Sequence, residues 1–354
     1  MSVLDQSDRW DSVDPQSIRS LLESFPDQVR AAADKARNLS LPSVRSARNL
    51  VITGLGGSAI GGDVARSVLG GSLPIPLIVN RDYRLPSFVA SDSIVIACSY
   101  SGNTEETLSA YQDARRARAS IICITSGGRL AEVAKADGFP VITIPAGLPP
   151  RAAFGHLCFA VLGSIQALGL VADMSDSFDE TCRLVASLLD RYSPAVPEVE
   201  NLAKRIARSL HGKIVAVYGS NGILDSAAAR WRGQIEENAK NLAFHHVLPE
   251  MNHNELVGWL NPEQGLLDVG VVFLRDKGDH PQVQHRFDLT REVIEERAGV
   301  VHEVWSEGES LLARVFSVVY LGDFVSLYLA YLNNVDPTPV ETIETFKKKL
   351  SERG

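Results

Sequence analysis

Apolar residues in this chain gather into short, largely β-branched runs separated by longer stretches with helical spacing. Leu50-Val51-Ile52-Thr53, Pro76-Leu77-Ile78-Val79, Ile94 to Cys98, Ser120 to Thr125 and Phe139 to Ile144 read as strands. Short continuous apolar runs bounded by Gly, Pro or polar turns suit strands buried on both faces. Glu105 to Ala119 and Leu130 to Ala136 read as helices between them. Strand and helix alternating in this way predict right-handed crossovers and a parallel sheet covered on both sides. From Lys213 the pattern restarts. Strand Ile214 to Tyr218 leads through Gly219-Ser220-Asn221-Gly222 into a helix from Asp225 to about Ala239. Val271 to Leu274, Leu289 to Arg297 and Val300 to Trp305 then read as strand, helix and strand. The chain is expected to be two similar α/β halves.

Residues 1–45 are polar and helix-prone, with Ile18, Leu21, Leu22 and Phe25 at helical spacing, and suit an arm packed on the first half. The longest apolar stretches, Leu157 to Ala172 and Phe316 to Leu332, are short for membrane spans and are interrupted by Gln166 and Asp323. Both are expected to be buried helices. Ser193-Pro194-Ala195-Val196-Pro197 reads as a linker, so the expected divisions are 1–45, 46–190, 198–335 and 336–354. In the last of these, Asp336-Pro337-Thr338-Pro339-Val340 breaks the apolar helix and leads to a short helix ending Phe346-Lys347-Lys348-Lys349.

At 354 residues the length accommodates two domains, and 45% hydrophobic with 22% charged residues is the composition of a soluble globular protein. The net charge of −8 gives no basic footprint for nucleic acid. Cys98, Cys123, Cys158 and Cys182 show no paired metal spacing and suit reduced core thiols of a cytoplasmic protein. Met1 to Trp10 contains Asp5 and Asp8 and no apolar segment, so no signal peptide is expected.

The candidate chemistry lies where strands end. Ser99-Tyr100-Ser101-Gly102-Asn103-Thr104 joins the strand at Ile94 to Cys98 to a helix whose first turn carries Glu105 and Glu106. Asn103 and Glu106 have the spacing of a capping box. The N–H groups of a helix N-terminus, together with the hydroxyls of Ser99, Ser101 and Thr104, could hold a phosphate without a formal cation. Gly54-Leu55-Gly56-Gly57-Ser58-Ala59 follows the first strand. Gly54, Gly56 and Ala59 match a dinucleotide fingerprint, but the next strand ends in Asn80-Arg81 where that reading wants an acid. The alternative is that Gly57 and Ser58 let the backbone approach a small ligand. Arg151 opens an apolar helix, an end unfavourable for a cation, which hints at an anionic partner.

In the second half Arg230, Gln234 and Glu237 share one helix face, which by periodicity alone is a solvated polar face. His253 stands in the polar loop Asn252-His253-Asn254-Glu255. No H-x-H, H-x-x-x-H or Cys-pair spacing accompanies it, so a zinc site has little support. By dipole chemistry alone the terminal lysines are an ordinary helix C-terminus.

Taken together, the motifs G-G-S-A-I-G-G-D, S-Y-S-G-N-T-E-E-T, P-P-R-A-A, Q-I-E-E-N, P-E-M-N-H-N-E, L-G-D-F-V-S-L-Y-L-A and D-P-T-P-V, in order between residues 48 and 350, resemble the bifunctional phosphoglucose/phosphomannose isomerase family. The resemblance implies two SIS (sugar isomerase) domains, each a doubly wound, flavodoxin-like parallel sheet flanked by helices, with a helical arm and tail. It implies metal-independent aldose–ketose isomerisation of fructose 6-phosphate, glucose 6-phosphate and mannose 6-phosphate, with no cofactor. Ser99, Ser101 and Thr104, with Gly57 and Ser58 nearby, match the sugar-phosphate site. Glu237 matches the catalytic base, Arg151 the arginine beside the enediolate, His253 a ring-opening histidine donated by the other subunit of a homodimer, and Lys347 the C-terminal lysine. Glu236 stands where the family pattern has Asn, an extra carboxylate able to raise the pKa of the base. Two other readings stay open. A non-catalytic phosphosugar-binding regulator would keep the serine loop and need neither Glu237, His253 nor Arg151. A nucleotide-dependent oxidoreductase would use the glycine fingerprint.

Overall fold

Two parallel sheets carry the alternation. The computed structural model describes residues 3–42 and 46–352; residues 1, 2, 43–45, 353 and 354 of the expected arm and tail lie outside the described residues. The first sheet comprises β1 (Asn49–Thr53), β2 (Leu77–Asn80), β3 (Ser93–Cys98), β4 (Ser120–Thr125) and β5 (Val141–Thr143), in the spatial order β2-β1-β3-β4-β5. Val51 pairs with Ile78 on one side and Val95 on the other, and every residue of β1 and β3 is buried. Cover on both faces is what makes these strands continuous apolar runs. The second sheet comprises β6 (Ile214–Ser220), β7 (Ala243–Leu248), β8 (Val269–Arg275) and β9 (Val300–Trp305), ordered β7-β6-β8-β9. Strand β7 has no counterpart among the expected strands. It is an edge strand with only its end residues buried, and His245-His246 interrupts any apolar run.

In each sheet the chain leaves the central strand toward one edge, then returns to build toward the other. The turning points lie between β1 and β3 and between β6 and β8, where an open α/β sheet leaves a crevice at the carboxyl ends of its strands.

Helix Leu311–Asn333 joins the halves. It packs on helices Ser175–Tyr192, Leu202–Leu210 and Asp225–Ala239. It is long and apolar enough to cross a membrane, yet 94% of its most apolar window is buried inside the protein, so it is a core helix. Phe154, Phe316 and Phe159 interlock where it meets helix Phe154–Ala167. Helix Phe25–Arg37 packs on Phe154–Ala167 as expected of an arm, and the arm also reaches the second half, where Tyr320 Oη donates to Leu22 O at 2.6 Å. The expected linker is a packed turn. Asn201 Nδ2 donates to Tyr192 O (3.0 Å), and the buried Lys204 Nζ donates to Pro194 O (2.8 Å) and Val196 O (2.7 Å). All four cysteines are buried as free thiols.

Candidate active site

The loops after β1 and β3 lie side by side at the first turning point. After β3, Gly102 has φ +70° and an added Cβ would overlap the Gly127 carbonyl, so only glycine fits the turn. The expected capping box does not form. Thr104 is the N-cap of helix Glu105–Arg116 and makes no side-chain cap, while Asn103 Oδ1 accepts from Arg129 N (3.0 Å) on the next helix. The competing bond to a neighbouring backbone leaves the first N–H groups of Glu105–Arg116 without a side-chain acceptor, and the positive end of that helix faces the loop.

Ser99 Oγ is wholly buried, 2.8 Å from Thr104 Oγ1, and accepts from Gly102 N at 3.1 Å. The exposed Ser101 accepts from Asn103 N at 3.2 Å. Ser58 Oγ accepts from Tyr100 N at 3.1 Å, which ties the two loops together and leaves its own proton able to donate. Ser101 and Thr104 thus face outward, with Ser99 behind them. Tyr100, which sequence reasoning missed, turns inward. Its hydroxyl donates to Pro145 O (3.1 Å) and accepts from Leu148 N (2.8 Å), fixing the segment that leads to Arg151.

Gly57 makes a close approach, but to protein. A Cβ there would stand 2.9 Å from Pro150 O, so the glycine admits the Pro150–Ala153 turn where a small ligand was expected. At the end of β2, Asn80 bonds back to Thr53 Oγ1 (3.1 Å) and Arg81 pairs with Asp63.

Arg151, in that turn at the start of helix Phe154–Ala167, is 6% exposed. Its Nε donates to Asn238 Oδ1 (2.7 Å), and Nη2 donates to Pro337 O (2.6 Å) and Thr338 O (2.8 Å). Nη1 points to Glu237 Oε2 at 3.5 Å. Burial pulls the Arg151 pKa down, opposed by the Glu237 carboxylate. A guanidinium nevertheless stays charged. Glu237, its side chain 33% exposed, lines a cleft of about 780 Å³ with Glu236, Lys240, Asp336 and Ile343. Lys240 Nζ donates to Glu237 O (2.7 Å) and Pro337 O (3.2 Å), and burial holds its pKa down.

Apart from Glu237 itself, the face bearing Glu237 is not solvated, contrary to the reading from periodicity. Arg230, Gln234 and Asn238 are buried because the helix is clamped between Leu311–Asn333 and the first half. Arg230 Nη2 donates to Asp323 Oδ2 (2.8 Å) and to Arg151 O (3.3 Å), and its guanidinium lies 4.2 Å over the Phe154 ring. Glu236 turns toward Arg232, 3.6 Å away, and burial raises its carboxyl pKa against that arginine's pull.

His253 and Lys347 stand apart from this group. His253 is exposed at the end of the Glu250–His253 turn after β7, and Lys347 is exposed on helix Glu341–Ser351. Neither lines the cleft beside Glu237. Among the described residues no three His, Cys, Asp or Glu side chains converge as a metal-binding group.

At the carboxyl end of β8, on the side that faces β9, side chains form a buried polar network. Asp276, fully buried, accepts from Gly278 N (2.6 Å), Ser306 Oγ (2.6 Å) and Arg314 Nε (2.9 Å). Arg275 Nη1 donates to Asp288 (2.8 Å) and Glu303 (2.9 Å).

A protein-family profile described as the bacterial phospho-glucose isomerase C-terminal SIS domain matches residues 199–350. The chain is 48% identical over 330 residues to a bifunctional phosphoglucose/phosphomannose isomerase of Caldicellulosiruptor bescii, covering 93% of this chain and 97% of that protein. It is 38% identical to the protein of the same name from Aquifex aeolicus, over 87% of this chain and 92% of that one. A glucose-6-phosphate isomerase-like protein of Thermus thermophilus superposes with a TM-score of 0.64 at 19% identity, covering 98% of this chain and 99% of that one, which supports the shared fold.

Proposed function

Since the chain belongs to the bifunctional phosphoglucose/phosphomannose isomerase family, we propose that it interconverts fructose 6-phosphate with glucose 6-phosphate and mannose 6-phosphate through a cis-enediol. The observation that carries this reading is the contiguity of the serine loop, the Gly57–Pro150 contact, Arg151 and Glu237.

The first half, 46–190, binds the phosphate and the second, 198–335, supplies the base, with the arm 1–45 and tail 336–354 flanking them. Ser101, Thr104 and Ser58 donate hydroxyl hydrogen bonds, and the start of helix Glu105–Arg116 contributes its N–H groups. Ser99 and Gly57 shape the loops. Anchoring the phosphate remote from the reacting carbons holds C1 and C2 in place. Isomerisation moves one proton between those carbons, so a single carboxylate, Glu237, can take it and return it. Charge builds on the enediolate oxygens, where Arg151 Nη1 stands beside the base. The substrate arrives largely as a closed ring. His253 of the other subunit in a homodimer, and Lys347, open it by acid–base catalysis. No metal or cofactor takes part, and the enzyme works in the cytoplasm.

A coupled assay of fructose 6-phosphate conversion to both aldoses, with EDTA present, tests this for the wild type and Glu237→Gln. Turnover that survives EDTA and falls roughly 10²–10⁴-fold in the variant is the expected result. Phosphosugar binding without wild-type turnover would favour a regulatory protein.

A further inference from the structure

Asn238 is buried between Arg151 and helix Leu311–Asn333, and the polarity of its two bonds is fixed from outside. Its Oδ1 accepts from Arg151 Nε at 2.7 Å and its Nδ2 donates to Ser326 Oγ at 2.9 Å. Ser326, also buried, donates its one hydroxyl proton to Asp323 O at 2.7 Å. With that proton committed, the hydroxyl can only accept from Asn238. The amide therefore has one orientation, nitrogen toward Ser326 and oxygen toward Arg151. Flipped, it would set two donors against each other at Nε.

From this polarity we infer that Asn238 and Ser326 are positioning residues that set the rotation of the Arg151 guanidinium. The other end of the guanidinium is fixed by Pro337 O and Thr338 O. Asp336 Oδ1 accepts from Thr338 N at 2.8 Å and closes the turn that presents those carbonyls. The Arg151 main chain is held from the same helix, through Asp323 and Arg230. Asp323 and Ser326, both in L-G-D-F-V-S, thus reach Arg151 by two routes. What remains is Nη1, the edge that faces Glu237 and the place of the enediolate. A donor stabilises developing charge only when it is already aimed at it.

This inference rests on the proposed role of Arg151, and the experiment separates the two. kcat and KM for fructose 6-phosphate are measured for Asn238→Leu, Asn238→Asp and Ser326→Ala, each with Arg151 intact and in an Arg151→Ala background, alongside thermal melts. Asn238→Leu is expected to lower kcat roughly 10²-fold, the cost of a misaimed catalytic group, with KM changed by less than about threefold. Asn238→Asp, which keeps an acceptor for Nε, recovers most of that loss. Ser326→Ala, a smaller change should the leucine variant not fold, lowers kcat roughly tenfold by freeing the amide. Without the Arg151 side chain these substitutions cost nothing further. Equal losses in both backgrounds, or wild-type kcat in Asn238→Leu or Ser326→Ala, would overturn the relay. Wild-type kcat in Arg151→Ala would overturn the role of Arg151 itself and the relay with it.

Discussion

Arg151 Nη1 stands 3.5 Å from Glu237 Oε2, a loose pairing in a side chain whose other donors make bonds of 2.6 to 2.8 Å. The arginine is held by neutral acceptors and only approached by the carboxylate. Glu237→Gln therefore removes the proposed base without stripping Arg151 of its partners. The variant is expected to fold with a melting temperature within about 3 °C of wild type, the shift of roughly 1–2 kcal/mol in a chain of this size. A melt by circular dichroism checks this. A much larger drop would mean that the pair is a structural ion bridge.

The serine loop predicts a different kinetic signature. A phosphate contact is present in the ground state and the transition state alike, so losing it raises KM with little change in kcat. Thr104→Val removes one hydroxyl, and its loss on a charged ligand is worth about 1.5–3 kcal/mol, or roughly 10- to 100-fold in KM. The inhibition constant for inorganic phosphate is expected to rise in parallel. A fall in kcat at constant KM would place Thr104 at the reacting carbons instead.

Much of this was legible from residues alone. Buried strands β1 and β3 announce themselves as unbroken apolar runs, whereas β7, paired on one edge only, is free to carry His245 and His246. The serine loop is visible as hydroxyls at a strand–helix junction, and Arg151 as a cation at the wrong helix end. Asn238 was not visible, because a polar face clamped inside the protein has the same period as one in water. The signal that could have found it lies elsewhere. Asp323 and Ser326, three residues apart in a long apolar helix, are buried polar groups that demand partners. Tyr100 left no signal, since an inward-turned loop tyrosine reads as any other.

His253 bonds to neither Arg151 nor Glu237 within its own protomer, so the proposed sharing between subunits has a direct test. Glu237→Gln and His253→Ala are each expected to be inactive. Mixed dimers of the two contain one site with both native residues. Random mixing makes half the dimers mixed, so roughly a quarter of wild-type activity returns. No recovery would place both residues in one protomer's site, or remove His253 from the reaction.

His245 predicts a pH dependence of stability. Burial first, then Arg232 and His246, push its pKa down from 6.5 to about 4. A histidine depressed in the folded state takes up its proton earlier when unfolded. Its contribution is thus complete above about pH 6.5 and is lost as pH falls toward 4. Asp63 and Asp323, raised by burial, act with the opposite sign, but they cancel when wild type is compared with His245→Gln. Between those limits wild type is expected to lose stability faster than the variant, read as the difference in urea midpoints. A constant difference would show that His245 charges without hindrance.

Gly322 controls how closely the two helices behind the site approach. It faces Trp231, whose Nε1 donates to Val318 O at 2.7 Å, and a Cβ at Gly322 would lie 2.5 Å from the indole Cδ1. Because the indole is buried and tethered, it cannot move aside. Gly322→Ala must push Leu311–Asn333 and Asp225–Ala239 apart, overpacking that costs about 1–3 kcal/mol or more. The same displacement lengthens Asn238–Ser326, four residues farther along the long helix. Stability and kcat are therefore expected to fall together, with KM for fructose 6-phosphate nearly unchanged because the serine loop lies on the other side of Arg151. Lower stability with intact kcat would show that helix spacing and guanidinium aim are independent.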